Sequence, residues 1–321
     1  MICIERTQNN PYFNIAAEEY ALKAFDQDIF MLWINEPSII IGKHQNALAE
    51  INHRFVTENK IPVIRRISGG GTVFHDLGNL NFTFIKSGEK GKLVDFEKYT
   101  APIVKILNDL GINARFEGKN GLQVNGLKIS GNAEHVFRNR VLHHGTLLFD
   151  SHLADLNEAI KAKQGQYIDK AVKSNRSIVT NIKEHLSDDY QSMSTIDFKN
   201  LIEQRLSEMY PKVDKITFSN EDIQAINTLV EQKYDTWKWN YAYSPKFKIS
   251  HELLMNETKY QLEFAIKNGI IENVEKLEGT NTIDWSELSG LQYRSDVIIS
   301  KLVHLSRMSD LEREMVLQIM F

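Results

Sequence analysis

The sequence predicts an α+β protein organised as two domains. Three observations lead there: a helix-spaced apolar series is followed at once by strand-like runs, the stretch from Ile61 to Lys86 is β-rich, and the pattern resets near residues 236–250. A length of 321 residues with 42% hydrophobic content is enough for two ordinary cores.

Residues 13–25, FNIAAEEYALKAF, carry apolar side chains at helical spacing. IFMLWI and SIIIG then read as two short paired strands separated at Glu36-Pro37. From Ile61 the chain gives a strand, a triple-glycine loop, and a strand in which Leu80, Phe82 and Phe84 alternate with polar Asn81 and Thr83. Asp95 caps a helix running to Gly111, with Pro102 as its one irregular position. Segments 194–210 and 219–234 read as helices, the second opened by the Ser219-x-x-Asp222 capping pattern. The aromatic, proline-containing segment TWKWNYAYSPKFK marks a boundary, which sets domains at 1–245 and 246–321. Beyond it, Tyr260, Leu262, Phe264 and Ile266 alternate up to Asn268-Gly269, and Ile270 starts the return strand of a hairpin. Helices near 295–305 and 309–320 are placed to cover its apolar face.

Charge and cysteine usage narrow the function classes. A net charge of −4 without a local Lys/Arg cluster argues against a general nucleic-acid binder. One cysteine, Cys3, provides neither a disulfide framework nor a cysteine zinc site, and a reducing cytoplasm fits best. The segment MICIERTQNN lacks the pattern of an export signal, and no apolar run is long enough for a membrane span.

The chemistry concentrates in two segments. In Arg65-Arg66-Ile67-Ser68-Gly69-Gly70-Gly71-Thr72-Val73-Phe74-His75-Asp76, three glycines let backbone N–H groups surround an anion without Cβ atoms in the way, although a strained turn between strands is the alternative reading. The loop lacks the GxxxxGK[ST] lysine and leads into a strand, which disfavours P-loop and Rossmann sites. No G-x-S-x-G elbow occurs, and Ser68 and Ser130 have no evident triad context. His143 and His144 are adjacent and so point to opposite faces of a strand, which argues against a metal pair. In the second segment Asn125-Gly126 makes a two-residue turn that pairs Val124 with Leu127, Gln123 with Lys128 and Leu122 with Ile129. One face is then apolar and the other carries Lys128, just before the small-residue run Ser130-Gly131-Asn132-Ala133.

RRISGGGTVFHDLGNLNFTF, LKISGNA and LHHGTLLFD, in this order and spacing, closely resemble the lipoate–protein ligase A family. The likeness extends from NPYFNIAAEEYAL to SNRSIVTNI and, more weakly, through WKWNY and LSGLQYRSDVI. It implies the catalytic fold of the biotin/lipoate protein ligases, a mixed sheet with helices, followed by a small α/β accessory domain. It also implies that Lys128 is catalytic, holding the acyl carboxylate and α-phosphate, and that Arg66, Ser68, Gly69, Gly70, Gly71 and His75 line a lipoyl-adenylate pocket. Asn79, Asn120, Ser130, Gly131, Ala133, His144, Gly145 and Thr146 fall at matching pocket positions, and Arg176, Ser177, Val179 and Thr180 in an adenylate-binding loop. Leu22, Trp33 and Ala133 are candidate walls for the apolar acyl chain. Where many relatives carry an aspartate after the asparagine matching Asn120, this chain has Gly121, so metal ligands stay unassigned and Asp76 is only a weak substitute.

The implied substrates are lipoate and ATP with Mg²⁺. The implied partners are the lipoyl domains of 2-oxo acid dehydrogenase acyltransferase subunits and the glycine-cleavage H protein. An ATP-independent octanoyl or lipoyl transferase of the same fold needs a cysteine, which Cys3 at the extreme N-terminus supplies poorly. A biotin ligase is disfavoured by the glycine loop, which lacks a GRGRxxR-like character. A non-catalytic module that binds the acyl-adenylate or the carrier is the third alternative.

Overall fold

The computed structural model describes residues 1–88, 93–160, 167–175, 177–210, 212–255, 258–278 and 285–305. In chain order, β1 (Ile2–Ile4) leads to α1 (Pro11–Ala24), then β2 (Ile29–Ile34) and β3 (Ser38–Ile41). Next come β4 (Val63–Arg65), β5 (Val73–His75), β6 (Asn79–Ser87), α2 (Phe96–Asp109) and β7 (Ala114–Glu117). The hairpin β8 (Gly121–Val124) and β9 (Leu127–Phe137) precedes β10 (Arg140–Leu148) and β11 (Tyr167–Asp169). The other main elements are α3 (Thr195–Met209), β12 (Asp214–Ile216), α4 (Asn220–Leu229), β13 (Phe247–Met255), β14 (Thr258–Lys267), β15 (Ile270–Glu278) and α5 (Ser295–Leu305). The segment 309–320, expected as a helix, lies outside the described residues.

Local chemistry explains the helix boundaries. Asn10 caps α1 by accepting from the Phe13 amide, with Pro11 at the first helical position. Asp95 caps α2 through the Lys98 amide, and Pro102 sits inside an unbroken helix. Reciprocal capping boxes start α3 (Ser194 with Asp197) and α4 (Ser219 with Asp222), each worth about 1 kcal/mol.

Two compact units form. The first comprises residues 1–43, 62–157 and 174–235, and the second residues 44–61, 158–173 and 236–321. Segments 44–61 and 158–173 therefore join the second unit although they are far from it in sequence. In the first unit an eight-stranded mixed sheet runs β12-β1-β2-β6-β10-β9-β8-β7, and a three-stranded sheet runs β4-β3-β5. β1 is parallel to β12 and β2, whereas β2, β6, β10 and β9 are mutually antiparallel in that order. One face of the large sheet, with Phe30, Leu32, Leu80, Phe82, Phe84, Val141 and Leu147, packs with Ile103, Leu107, Phe198 and Ile202 of α2 and α3.

In the second unit β11-β13-β14-β15 make a four-stranded antiparallel sheet around Phe247, Leu262, Phe264, Ile266, Trp285, Ile298 and Leu302. Leu48 and Tyr167, from the two early segments, pack against this core. Lys267 pairs with Ile270 across Asn268-Gly269, and both turn residues have positive φ, as the expected hairpin requires.

Two pairings differ from the sequence reading. β2 and β3 do not pair with each other: β2 lies between β1 and β6, and β3 between β4 and β5. Both strands are buried along their whole length, and each satisfies its backbone only with a neighbour on each side, which a two-stranded hairpin does not supply. In the β8–β9 hairpin, Val124–Leu127 and Gln123–Lys128 pair as expected, but a bulge then brings Leu122 opposite Ser130 rather than Ile129.

Candidate active site

The face of the large sheet opposite that core is polar, and strand register assembles it. Alternation along β6 sends Leu80, Phe82 and Phe84 to the core and leaves Asn79, Asn81 and Thr83 on the other side, where they too are buried. Directly opposed residues share a face, so one row holds Trp33, Asn81 and Thr146, and the next holds Met31, Thr83, His144 and Ala133. α1 adds Glu18 to this face.

These groups form one hydrogen-bonded chain. Trp33 Nε1 donates to Thr83 Oγ1 (2.9 Å), which donates to Glu18 Oε1 (2.6 Å). His144 Nδ1 donates to Glu18 (2.9 Å), so in the neutral ring Nε2 accepts from Ser68 Oγ (2.6 Å), which in turn accepts from Arg66 Nε (2.9 Å). Ser68, His144 and Glu18 thus stand in the order of a nucleophile, base and orienting carboxylate, a context the sequence did not disclose. Ser68 is fully buried, however, and its hydroxyl links a guanidinium to an imidazole. We expect Ser68→Ala to cost no more than about tenfold in activity and a fluorophosphonate probe to leave Ser68 unlabelled. A loss near the ~10⁶ typical of a removed nucleophile, with labelling, would make it one.

The glycine loop is built around Arg66. Four of its five N–H groups are used inside the protein: besides Ser68, it donates to the carbonyls of Ile40 (3.0 Å), Gly69 (2.6 Å) and Gly71 (2.7 Å). Burial pushes its pKa down to about 10, which still leaves it charged at neutral pH. Gly70 has φ +84°, and a Cβ on Gly42 would collide with the Gly70 carbonyl oxygen, so Gly42 is part of the loop's design. Thr72 N donates to Ser174 Oγ (2.8 Å), on which Gly71 also rests. The amides of Gly69, Gly70 and Gly71 donate to no described residue and remain available to an anion.

His75 is held in one tautomer by a second chain. Arg6 donates to Asn14 Oδ1, Asn14 Nδ2 donates to Asn35 Oδ1 (2.9 Å), and Asn35 Nδ2 therefore faces His75 Nδ1 (3.1 Å). Nδ1 accepts, so Nε2 carries the hydrogen, and it has no partner among the described residues. Burial, Arg66 and His144 together push His75 down to about 3, so the ring is neutral. Asn79 likewise presents a buried Oδ1 with no partner, its amide nitrogen being given to Asn81 (3.0 Å).

Lys128 lies across the glycines of the β8–β9 pair: ideal Cβ atoms at Gly131 and Gly121 would lie 3.5 and 3.8 Å from its Cε. Its ammonium has no hydrogen bond or ion pair among the described residues, and burial lowers its pKa. The expected adenylate loop is stitched to it, since Lys128 N donates to Ile178 O (2.9 Å) and Thr180 N to Lys128 O (3.1 Å). That places Val179 and Thr180 alongside the Lys128 backbone, with Ser177 preceding them in the chain, while Arg176 lies outside the described residues. Gly131 N donates to Thr146 Oγ1 (3.2 Å), and Asn120 and Ser130 are tied to Asn132. A Cβ on Gly145 would collide with Asn132 Oδ1, so Gly145 contributes by its lack of a side chain.

Asp76 does not offer a free carboxylate, because its oxygens accept from the amides of Gly78 (2.9 Å) and His152 (2.7 Å). His143 and His144 do point to opposite faces. Of the candidate walls, Ala133 lies beside Gly70, and Leu22 and Trp33 are buried. Sequence reasoning missed Glu18, Asn14, Asn35, Gly42 and Ser174. Asn14 and Glu18 did leave a signal, two polar residues at i, i+4 and so on one face of the helix.

Residues 10–207 match the family model of the lipoyl protein ligase A/B catalytic domain. The chain is 38% identical over 303 residues to lipoate-protein ligase LplJ of Bacillus subtilis, covering 92% of this chain and 91% of that protein. It also shares its fold with LipL1 of P. falciparum, whose crystal structure is a complex with lipoate (TM-score 0.65, 23% identity, 98% and 97% of the two chains). A lipoate-protein ligase A bound with ATP gives TM-score 0.63 at 24% identity, covering 75% of this chain and 99% of that one.

Proposed function

This chain belongs to the lipoate–protein ligase family, and on that premise we propose that it converts lipoate and ATP to lipoyl-adenylate and passes the lipoyl group to a lysine of a carrier domain. In the first half-reaction a lipoate carboxylate oxygen attacks the α-phosphorus and pyrophosphate leaves. In the second, the carrier lysine attacks the acyl carbon and AMP leaves. Negative charge develops on phosphoryl oxygens and then on the acyl oxygen.

The observation that carries this reading is Lys128, a partly buried cation with no partner among the described residues, lying over two glycines that leave room for a ligand. In a site of lowered dielectric a preorganised donor of this kind contributes about 10²–10³ in rate. The free amides of Gly69, Gly70 and Gly71 add uncharged donors, while Arg66 shapes the loop that carries them. The polar face made by Trp33, His75, Asn79, Asn81, His144 and Thr146 belongs to the same pocket in this reading, with Ala133 against the glycine loop.

Mg²⁺ enters as the ATP complex. Among the described residues no group of three or more His, Cys, Asp or Glu is placed to hold a metal, and Asp76 already accepts from two backbone amides, so no residue is assigned to the ion, which the phosphates of ATP would carry into the site. The carriers are lipoyl domains of 2-oxo acid dehydrogenase acyltransferase subunits and the glycine-cleavage H protein, and the compartment is the cytoplasm, which suits a single unpaired thiol. No described helix is long and apolar enough to cross a membrane. Residues 246–321 act as the accessory domain to a catalytic region in 1–245.

A transferase that works through an acyl-thioester requires a reactive thiolate. Cys3 is fully buried in β1, and burial together with Glu203 pushes its thiol up to about 12, which argues against that chemistry. The deciding experiment is mass spectrometry of a carrier domain incubated with this protein, lipoate and Mg²⁺, with ATP present or omitted. Addition of one lipoyl group only with ATP is expected. Gain solely from an acylated carrier donor would select the transferase, and no gain would select a binding module.

A further inference from the structure

β10 carries a second buried imidazole, on the side away from His144. The ring of His143 is stacked between Phe82 and Tyr99 (centroids 5.9 and 5.4 Å), with Phe96 edge-on at 5.8 Å. Its Nδ1 lies 2.9 Å from Glu134 Oε1 and its Nε2 3.3 Å from Asn132 Oδ1. The orientation of the Asn132 amide is fixed independently, because Nδ2 donates to the Asn120 carbonyl (3.0 Å), which can only accept, and to Ser130 Oγ (3.2 Å). Oδ1 therefore faces the ring, and Nε2 must carry a hydrogen.

The far end of this relay reaches Lys128. Asn132 and Asn120 clasp each other: Asn120 Nδ2 donates to Asn132 O (2.5 Å) and Asn132 N to Asn120 O (2.9 Å). Gly121 and Gly131, the next residues inward, pair with each other and form the surface under the Lys128 stem. At the near end, Glu134 Oε2 accepts from Asp95 N (3.2 Å) at the start of α2. A core position between two aromatic rings is more cheaply filled by an apolar side chain than by an imidazole with a carboxylate.

We propose that His143 is a positioning residue for the activation step: by orienting Asn132 it fixes the glycine seat on which Lys128 lies. This rests on the assignment of Lys128 above, and the test separates the two. His143→Phe keeps the ring stack and removes both hydrogen bonds. Adenylate formation, followed as pyrophosphate release, should lose about tenfold or more in kcat, with KM for lipoate within about twofold of the parent. Asn132→Ala should lose a similar amount, and the double variant should be no worse than the more impaired single one, since both break the same relay. A His143→Phe rate above half the parental value, or losses that multiply in the double variant, would overturn the proposal. Lys128→Ala assayed in parallel checks the premise: if it stays active, the assignment of Lys128 fails and the proposal with it. A further readout does not depend on how the variants fold. In the ¹⁵N-labelled parent at neutral pH, His143 Nε2 should give a protonated-nitrogen shift, and an unprotonated, pyridine-like Nε2 would refute the relay.

Discussion

Replacing Lys128 by alanine is expected to abolish overall ligation while circular dichroism and melting match the parent. The expected loss is about 10²–10³ or more, because the ammonium is the one cation identified in this site that is not already committed to a protein partner among the described residues. Folding should be spared for a physical reason: burial lowers the pKa of Lys128, so the folded state carries its charge at a cost at neutral pH, and removing it forfeits no ion pair. Lys128→Arg is expected to be impaired by roughly 10² as well, since a planar fork must fit over Gly121 and Gly131 where a slender stem now lies. Pyrophosphate release and carrier lipoylation measure both effects. If Lys128→Ala kept more than about a tenth of parental ligation, under ~1.4 kcal/mol of barrier, Lys128 would not be the central catalytic residue.

The second large effect is expected in the glycine loop, and the structure determines which glycine tests it cleanly. Gly70→Val is an ambiguous block: φ is +84°, so a branched residue there adds about 1–2 kcal/mol of backbone strain, and its Cβ would meet the Arg66 guanidinium at 3.0 Å. Gly69 is free of both problems, with an ordinary backbone conformation and nothing within 4 Å of where its Cβ would stand. Gly69→Val should therefore fill space reserved for the acyl-adenylate and cut its affinity by about 10² or more, with little change in melting temperature. Gly70→Val should lose both affinity and stability. Calorimetric titration with a non-hydrolysable lipoyl-adenylate analogue, alongside melting curves, separates the two. Unchanged affinity in a folded Gly69→Val protein would reduce the loop to a turn.

Much of the site was legible because its signals are local. The Asn125-Gly126 turn and the Ser219 capping box are each written within a few residues, and both form as read, while Gly69-Gly70-Gly71 is conspicuous in the sequence itself. The alternation of Asn79, Asn81 and Thr83 with Leu80, Phe82 and Phe84 was also visible, although its meaning was not. Polar residues on one face of a strand ordinarily meet water, whereas here they line a buried polar face. Arg66 was read as a pocket residue facing ligand. In the structure it also scaffolds the loop, its donors turning inward to carbonyls that the glycine backbone brings within reach.

The sequence by itself therefore determined the elements with local periodicity, the positions of tight turns and caps, the conspicuous Lys128, and, through its motifs, the family. The tertiary structure alone decided which strands become neighbours and which polar atoms find each other. β2 and β3 enter different sheets because each is buried on all sides and needs two flanking strands. Ser68 meets His144 across 76 residues, and His144 meets Glu18 across 126. Periodicity reports which face a residue occupies, but a hydrogen bond depends on what the sheet register places opposite that face, and register is set by the packing of the whole unit.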